Sequence, residues 1–102
     1  MAEHVSFFRA KCKPGKRQAV VDHFAMWERE QKPHAKGFIR SILVAGNNNP
    51  DEIMGAVRWD NTANYVANGS RPAQDAWYRG LVSNLDGEPA WFDGTLLREA
   101  GA

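Results

Sequence analysis

The sequence predicts an α+β domain with one four-stranded antiparallel sheet and the element order βαββαβ, which is the ferredoxin-like arrangement. Three observations support this prediction. The 102 residues fit one domain of ordinary size, so we expect residues 1–102 to form a single unit. Segments rich in strand-forming residues are interspersed with segments that have the apolar spacing of helices. Turn-forming Gly, Pro and Asn residues separate these segments.

The first half of the chain predicts a strand, a helix and a second strand. β-branched and aromatic residues favour the strands, and Val20, Phe24 and Trp27 are spaced four and three residues apart, as on one face of a helix. Pro33 and Gly37 break the chain between the helix and the second strand. The three expected ranges are residues 4–12, 16–31 and 38–45.

The second half predicts a hairpin, a broken helix and a last strand. The loop at residues 46–50 contains Gly, three Asn and Pro, and it connects the second strand to a third one. Asp60 or Asn61 can cap a short helix, and Pro72 can occupy the first turn of the next helix. The expected ranges are 52–59 for the third strand, 61–67 and 72–85 for the two helices, and 90–98 for the fourth strand.

Apolar residues fall on both faces of the predicted strands. Alternation in the second strand is expected to place Phe38, Ile42 and Val44 on one face, opposite Ile39 and Leu43. A sheet that is covered by helices on one side only should have a polar second face. We therefore expect a second copy of the chain to cover the helix-free face and form a homodimer.

The charge balance excludes several classes of protein. The 13 basic and 12 acidic side chains leave a net charge of +1, whereas nucleic-acid-binding proteins usually carry a basic surplus. No uncharged stretch is long enough to cross a bilayer, and charged residues interrupt the N-terminal region where a signal peptide would be apolar. We expect a cytoplasmic protein that binds neither nucleic acid nor membrane.

Metal and thiol chemistry find little support in the sequence. The single cysteine, Cys12, cannot form an intrachain disulfide, and no nearby residue marks it as a nucleophile. His4, His23 and His34 lie in separate segments, and none has a ligand-type partner at helical spacing. The motifs for dinucleotide, P-loop and zinc-protease sites are absent as well. No metal site is expected.

Aromatic residues are the unusual feature, with 4 Trp, 5 Phe and 2 Tyr. Trp59 and Tyr65 either fill the core or line a pocket, in which an indole would offer a flat face and an N–H donor. The same alternatives apply to Trp77, and Arg79 could add a fixed cation to such a pocket. His23 lies one residue off the apolar stripe of the first helix, and it is the histidine best placed to act as a base beneath that helix.

Four segments resemble the antibiotic biosynthesis monooxygenase family, and the resemblance covers almost the whole chain. They are the Pro-Gly-Lys turn at 14–16, Gly-Phe at 37–38, Ala-Val-Arg-Trp-Asp at 56–60 and Asn-Thr-Ala-Asn-Tyr at 61–65. This resemblance implies a dimeric α/β barrel. It also implies a monooxygenase that oxidises a phenolic or polycyclic aromatic substrate with O₂ and uses no metal, flavin or haem, so no cofactor is expected.

The resemblance also implies site residues. Trp59 would pack on the substrate ring, Arg79 would hold the anion, and Tyr65 would donate or relay a proton. Two positions that relatives fill with Asn and His fall on Gly55 and near Ala45, which leaves hydrogen-bonding and proton-transfer roles open. The complete expected set is Tyr65, Arg79 and His23 as catalytic residues, and Trp59, Trp77 and Phe8 as substrate-binding residues.

Other functions are known or conceivable for a barrel of this kind, and the sequence bears on each of them. Haem-degrading relatives need an Asn, a Trp and an axial His at positions that fall near Phe8, Asn68 and Tyr78, so haem degradation is excluded. An isomerase or a quinol-handling enzyme could share the same barrel. A non-catalytic protein that carries a small molecule or stabilises an assembly is the main alternative, and the missing polar groups at Gly55 and Ala45 favour it.

Overall fold

The computed structural model describes residues 2–102. Its four strands are β1 (His4–Lys11), β2 (Phe38–Ala45), β3 (Glu52–Trp59) and β4 (Ala90–Thr95). The helices are α1 (Arg17–Glu30), α2 (Thr62–Gly69) and α3 (Pro72–Val82), and a short 3₁₀ turn spans Lys32–His34. The type and order of these elements confirm the predicted α+β, ferredoxin-like fold.

The sheet is antiparallel and has the order β2-β3-β1-β4, so β1 is paired on both edges. Alternate residues of β1 point to opposite faces. His4, Ser6, Phe8 and Ala10 are buried beneath the helices, whereas Phe7 on the other face is 43% exposed. The helices therefore cover one face of the sheet, and the core lies between them and that face.

Two elements end earlier than the sequence predicts. β4 stops at Thr95 rather than residue 98, because Thr95 pairs with His4, the first residue of β1. α3 stops at Val82 rather than residue 85. The side chains of Ser83 and Asn84 both donate to the carbonyl of Gly80, and local bonds of this kind compete with helix continuation.

A register shift at the start of β2 overturns one predicted face assignment. Phe38 pairs with Trp59, and Arg40 pairs with Arg58, so Ile39 is an extra residue. Phe38 therefore lies on the helix-covered face, where its ring centroid is 4.9 Å from that of Trp27. The prediction that Phe38 shares a face with Ile42 and Val44 is wrong, because alternation alone cannot anticipate the bulge.

Part of the helix-free face is apolar and exposed, while residues 96–100 border it beside Val5 and Arg58. Ile42 is 57% exposed and Phe92 is 68% exposed. The exposed large apolar residues on this face are Phe7, Ile42, Val44, Met54 and Phe92. Apolar side chains thus occupy both faces of the sheet.

Cys12 lies at the end of β1 and is fully buried. Its backbone forms an isolated bridge with Leu85, and its N–H donates to Asp51 O at 2.7 Å. Burial raises the pKa of the Cys12 thiol, and the nearby Asp51 carboxylate adds to this, while Arg17 acts in the opposite direction. The thiol is therefore a packed core group.

We predict that iodoacetamide labels Cys12 roughly a hundredfold more slowly in the folded protein than in urea, because the reactive thiolate is both scarce and covered. Labelling followed by mass spectrometry over a range of pH would measure this. Folded-state labelling at the rate of an unfolded thiol would contradict the burial of Cys12.

Candidate functional site

A cavity of about 80 Å³ lies between the helices and the covered face of the sheet. Eight of its 13 lining residues are aromatic, so its wall is flat, apolar and suited to a planar ring. The wall residues that carry polar groups are Ser41, Asn68, Gln74, Tyr65 and the four tryptophans. No charged side chain of residues 2–102 lines it.

Four of the residues predicted from the sequence meet at this cavity. Trp59, Tyr65, Trp77 and Phe8 all line it. Trp59 is only 2% exposed, and its ring lies edge-on to that of Tyr65 with 6.1 Å between centroids. Trp59 ends β3 and Tyr65 belongs to α2, so the tight connection between these elements brings the two rings together. Their catalytic and binding roles remain predictions.

Arg79 does not face the cavity, contrary to the sequence-based expectation. Its side chain is 75% exposed, and Nε lies 3.2 Å from Asp75 Oδ2 on the preceding turn of α3. Trp77 and Leu81 are the buried residues of this helix. Because each residue turns a helix by about 100°, a position two residues from both of them falls on the opposite side.

His23 also lies outside the cavity wall. Its ring stacks on Trp77 with 4.9 Å between centroids, and Nε2 lies 2.7 Å from the carbonyl oxygen of Trp77. A carbonyl only accepts, so Nε2 carries the proton and donates. Trp77 Nε1 donates in return to the carbonyl of His23 at 2.9 Å. The expectation that His23 reaches the cavity is wrong, because its ring forms the contact between α1 and α3.

Phe8 covers Gly55 in the middle of the sheet. The two residues are register partners on β1 and β3, and a Cβ atom on Gly55 would overlap the edge of the Phe8 ring. Gly55 is the position at which the family resemblance implies a polar Asn. In this chain an aromatic ring fills that space, so the cavity wall is apolar there.

The polar groups of the cavity wall are mostly hydrogen-bond donors. Trp59 Nε1 is buried and has no hydrogen-bond partner among residues 2–102. Gln74 Oε1 already accepts from Trp27 Nε1 at 2.6 Å, and Asn68 Oδ1 accepts from Arg71 at 2.9 Å. The amide N–H groups of Gln74 and Asn68 are thus left to donate. The wall suits a neutral ring that carries acceptor oxygens.

A polar cluster adjoins the cavity, and sequence reasoning missed it. Ser6 Oγ donates to Asp93 Oδ1 at 2.6 Å, and the Tyr65 hydroxyl donates to the same atom at 3.2 Å. His4 Nε2 lies 2.7 Å from Ser6 Oγ, and the His4 ring stacks on Tyr65 at 4.1 Å. One pattern in the sequence could have indicated this cluster. The polar residues His4 and Ser6 alternate along the first strand and share a strand face with Phe8.

Tyr65 is protonated at neutral pH. Burial raises the pKa of its phenol, the nearby Ser6 hydroxyl opposes this, and the adjacent Asp93 carboxylate raises the pKa further. Tyr65 therefore acts as a hydrogen-bond donor in the resting protein.

The described part of the chain offers no metal centre and no spanning helix. No three His, Cys, Asp or Glu residues among 2–102 are grouped so that they could hold a metal ion. Within the same residues, no helix combines the length and the apolar character needed to cross a membrane.

No model of a known protein family matches this chain, and no curated protein sequence matches it either. Similarity is found among solved structures. A structure from Nitrosomonas europaea, named "putative antibiotic biosynthesis monooxygenase", superposes with a TM-score of 0.81 at 15% identity, over 98% of this chain and 95% of the other. A protein of the same description from Caulobacter crescentus CB15 gives a TM-score of 0.82 at 11% identity, over 95% and 92%.

A third similar structure has a stated activity. It is a variant of SnoaB from Streptomyces nogalater, described as a cofactor-independent oxygenase, with a TM-score of 0.78 at 12% identity. The match covers 99% of this chain and 97% of SnoaB. At such identities the three structures show that the fold is shared over nearly the full length of the chain, which agrees with the fold implied by the sequence resemblance.

We predict that Gly55→Ala destabilises the fold by about 1–3 kcal/mol, because the new methyl group forces the Phe8 ring to move. The same change should cost less in a Phe8→Leu background, which urea unfolding of both single variants and the double variant would reveal as coupling. Gly69→Ala is the matched control, since nothing lies within 4 Å of a Cβ at that position. Equal costs of Gly55→Ala in both backgrounds would show that Phe8 does not constrain Gly55.

Proposed function

We propose that the protein is a cofactor-independent monooxygenase that acts on a small phenolic aromatic molecule with O₂. The single observation that carries the proposal is the aromatic cavity, whose wall includes Trp59 with a buried indole N–H that has no partner among residues 2–102. Buried polar groups are nearly always hydrogen-bonded, so this N–H calls for an acceptor oxygen on a ligand. The shared fold with an oxygenase of this class supports the proposal.

The size of the cavity narrows the substrate to one aromatic ring. Its volume of about 80 Å³ lies well below the roughly 300–1,000 Å³ of pockets that enclose drug-sized ligands. A neighbouring groove of about 330 Å³ shares Tyr65, Asn68, Gln74 and Trp91 with the cavity. A single-ring phenol would occupy the cavity, and its substituents would extend into this groove. Within the expected range of substrates, the volume disfavours fused polycyclic rings.

The wall is suited to the first stage of such a reaction. Phe8 and Trp59 would pack on the ring, and the apolar surroundings would exclude water. The unpartnered donor of Trp59 would stabilise charge on a phenolate oxygen. The electron-rich phenolate would then reduce O₂, so that one oxygen atom enters the ring and the other leaves as water, and the phenol becomes a quinone. The ring supplies all the electrons in this balance.

A non-catalytic binding protein is the second candidate, and one specific observation favours it. No charged side chain of residues 2–102 lines the cavity. Arg79 and His23, the expected cation and base, both lie outside its wall. Such a cavity could hold a neutral aromatic molecule without changing it.

Oxygen uptake with a panel of single-ring phenols and hydroquinones separates the two functions. We predict uptake by the wild-type protein and a roughly tenfold to hundredfold lower kcat/KM for Trp59→Phe, which keeps a ring but loses the N–H donor. Arg79→Gln should leave kcat/KM within about twofold, because its side chain points to solvent.

Two outcomes would overturn the monooxygenase proposal in different ways. Quenching of tryptophan fluorescence by the phenols without any oxygen uptake would establish the binding protein instead. Absence of both uptake and quenching would remove the cavity as a ligand site. Loss of uptake in Arg79→Gln would show that Arg79 turns inward during the reaction.

We also propose that two copies of the chain associate through their helix-free faces. A homodimer buries the same patch on both partners, and this patch holds five large apolar side chains that water covers in the single chain. Exposed apolar surface of this extent typically marks an interaction site. A second copy of this chain is the partner that we propose for the apolar patch.

Ile42→Asp should convert a dimer into a monomer, because the introduced carboxylate would be buried without a partner in the interface. Size-exclusion chromatography with light scattering would measure the mass. Val66→Asp on α2 is the matched control, since Val66 is 56% exposed, against 57% for Ile42, yet lies on the helix side. A monomeric wild-type protein, or equal effects of both variants, would contradict this interface.

A further inference from the structure

The proposed reaction needs a group that accepts the phenol proton, and neither of the expected candidates reaches the cavity. Arg79 is a cation and points outward. The Nε2–H group of His23 already donates a hydrogen bond to the carbonyl of Trp77. Tyr65 is the titratable residue in the cavity wall, but its raised pKa keeps it protonated. The proton must therefore pass through Tyr65 to a further group.

We propose that Asp93 is the general base of this site, that it acts through the hydroxyl of Tyr65, and that Ser6 and His4 are positioning residues that hold it. This inference rests on the proposed monooxygenase function and adds the residue that takes the proton. Tyr65 lines the cavity, and its hydroxyl donates to Asp93 Oδ1 at 3.2 Å. That distance is within the reach a general base needs, especially in a protein without its substrate.

All the hydrogen bonds of the cluster run toward the Asp93 carboxylate. Ser6 and Tyr65 each have one hydroxyl proton, and both donate to Oδ1. The oxygen of Ser6 is then free to accept from His4, which places the imidazole proton on Nε2. His4 Nδ1 in turn accepts from the hydroxyl of Thr62 at 3.1 Å. This tautomer is assigned from the hydrogen bonds.

The burial of the cluster explains how Asp93 is held. His4 is 3% exposed and Ser6 is fully buried, and both belong to the doubly paired strand β1. Ser6 is the register partner of Asp93 in β4. The rest of the carboxylate is open to solvent, because the Asp93 side chain is 54% exposed. The hydroxyls of Ser6 and Tyr65 therefore hold Oδ1 in place, while the carboxylate remains able to exchange protons with water.

The proton step balances without any further reactant. The substrate O–H bond breaks and its proton forms a new bond to the Tyr65 oxygen, while the original Tyr65 proton moves to the Asp93 carboxylate. The electron pair stays on the substrate oxygen, which becomes a phenolate. Asp93 becomes a neutral acid, and it returns to its ionised form by releasing the proton to water.

The charged and titratable surroundings of Asp93 are few. His4 of β1 lies with Nε2 4.0 Å from Asp93 Oδ1, and Tyr65 of α2 donates to it. Tyr78 of α3 lies close enough to Tyr65 to add to its raised pKa. We therefore expect the rate to fall at low pH, because a general base accepts a proton only in its ionised form.

The test compares pH–rate profiles of oxygen uptake for Asp93→Asn, Asp93→Glu and wild type. Asp93→Asn keeps an oxygen acceptor for Ser6 but is no base, so kcat should fall about a hundredfold, and the acid limb should disappear. Raising the pH toward the ionisation of the phenol itself should restore the rate of this variant. Asp93→Glu should recover part of kcat. Asp22→Asn, on the exposed side of α1, is the matched control and should behave as wild type.

Ser6→Ala separates a positioning role from a merely structural one. Loss of this donor frees Asp93 Oδ1 from its buried partner, so the carboxylate is held less well beside Tyr65, and kcat should fall while KM stays near the wild-type value. A structural defect of the cavity would raise KM as well. Protection of Cys12 from iodoacetamide in each variant shows that the fold is intact.

The failure of this inference can be told from the failure of the proposed function. Wild-type uptake together with an unchanged kcat and acid limb in Asp93→Asn would overturn the assignment of Asp93 and leave the monooxygenase standing. An unchanged kcat in Ser6→Ala, or a KM that rises together with the loss of kcat, would overturn the role of Ser6. Absence of uptake by the wild-type protein with every phenol of the panel would overturn both the function and the base.

Discussion

Strand β1 is the element on which the site depends, because it is paired on both edges and supplies alternate side chains to the layer beneath the helices. His4, Ser6, Phe8 and Ala10 follow one another along that layer. The first two are polar and the last two apolar, so the strand divides the layer into a hydrogen-bonded end and an apolar end. Phe8 lines the cavity at the boundary. A shift of the strand register by one residue would move all four side chains to the helix-free face.

The elements of the fold could be predicted from the sequence because their signals are local. Strand and helix periods, the Gly-Asn-Pro loop and the cap at Asn61 each lie within a few residues. Asn61 Oδ1 does accept from the backbone N–H of Asn64 at 2.8 Å. Trp59 and Tyr65 could be predicted together for a similar reason, since they are only six positions apart in the sequence and a tight turn brings them together.

The errors arose where the outcome depends on three-dimensional phase or pairing. Arg79 and His23 lie near apolar residues in sequence, but a helix position two residues from a buried one faces away, as Arg79 does from Trp77. Phe38 changed face because of a bulge. The Asp93 cluster could not be predicted, because it needs the register that sets Ser6 of β1 opposite Asp93 of β4, 87 residues apart. Long-range register of that kind leaves no trace in local periodicity.

The two ends of the site are coupled through aromatic rings. Tyr65 stacks on His4 at one face and meets the edge of Trp59 at the other, so its position is set by the polar cluster and by the cavity wall together. A buried N–H without a partner, such as that of Trp59, costs on the order of 1–3 kcal/mol. A domain of 102 residues has a total stability of only about 5–15 kcal/mol. A cost of that size in so small a domain is difficult to explain by packing alone, because many apolar rings would fill the same space without it. It is readily explained if a molecule bound in the cavity supplies an acceptor oxygen to this N–H.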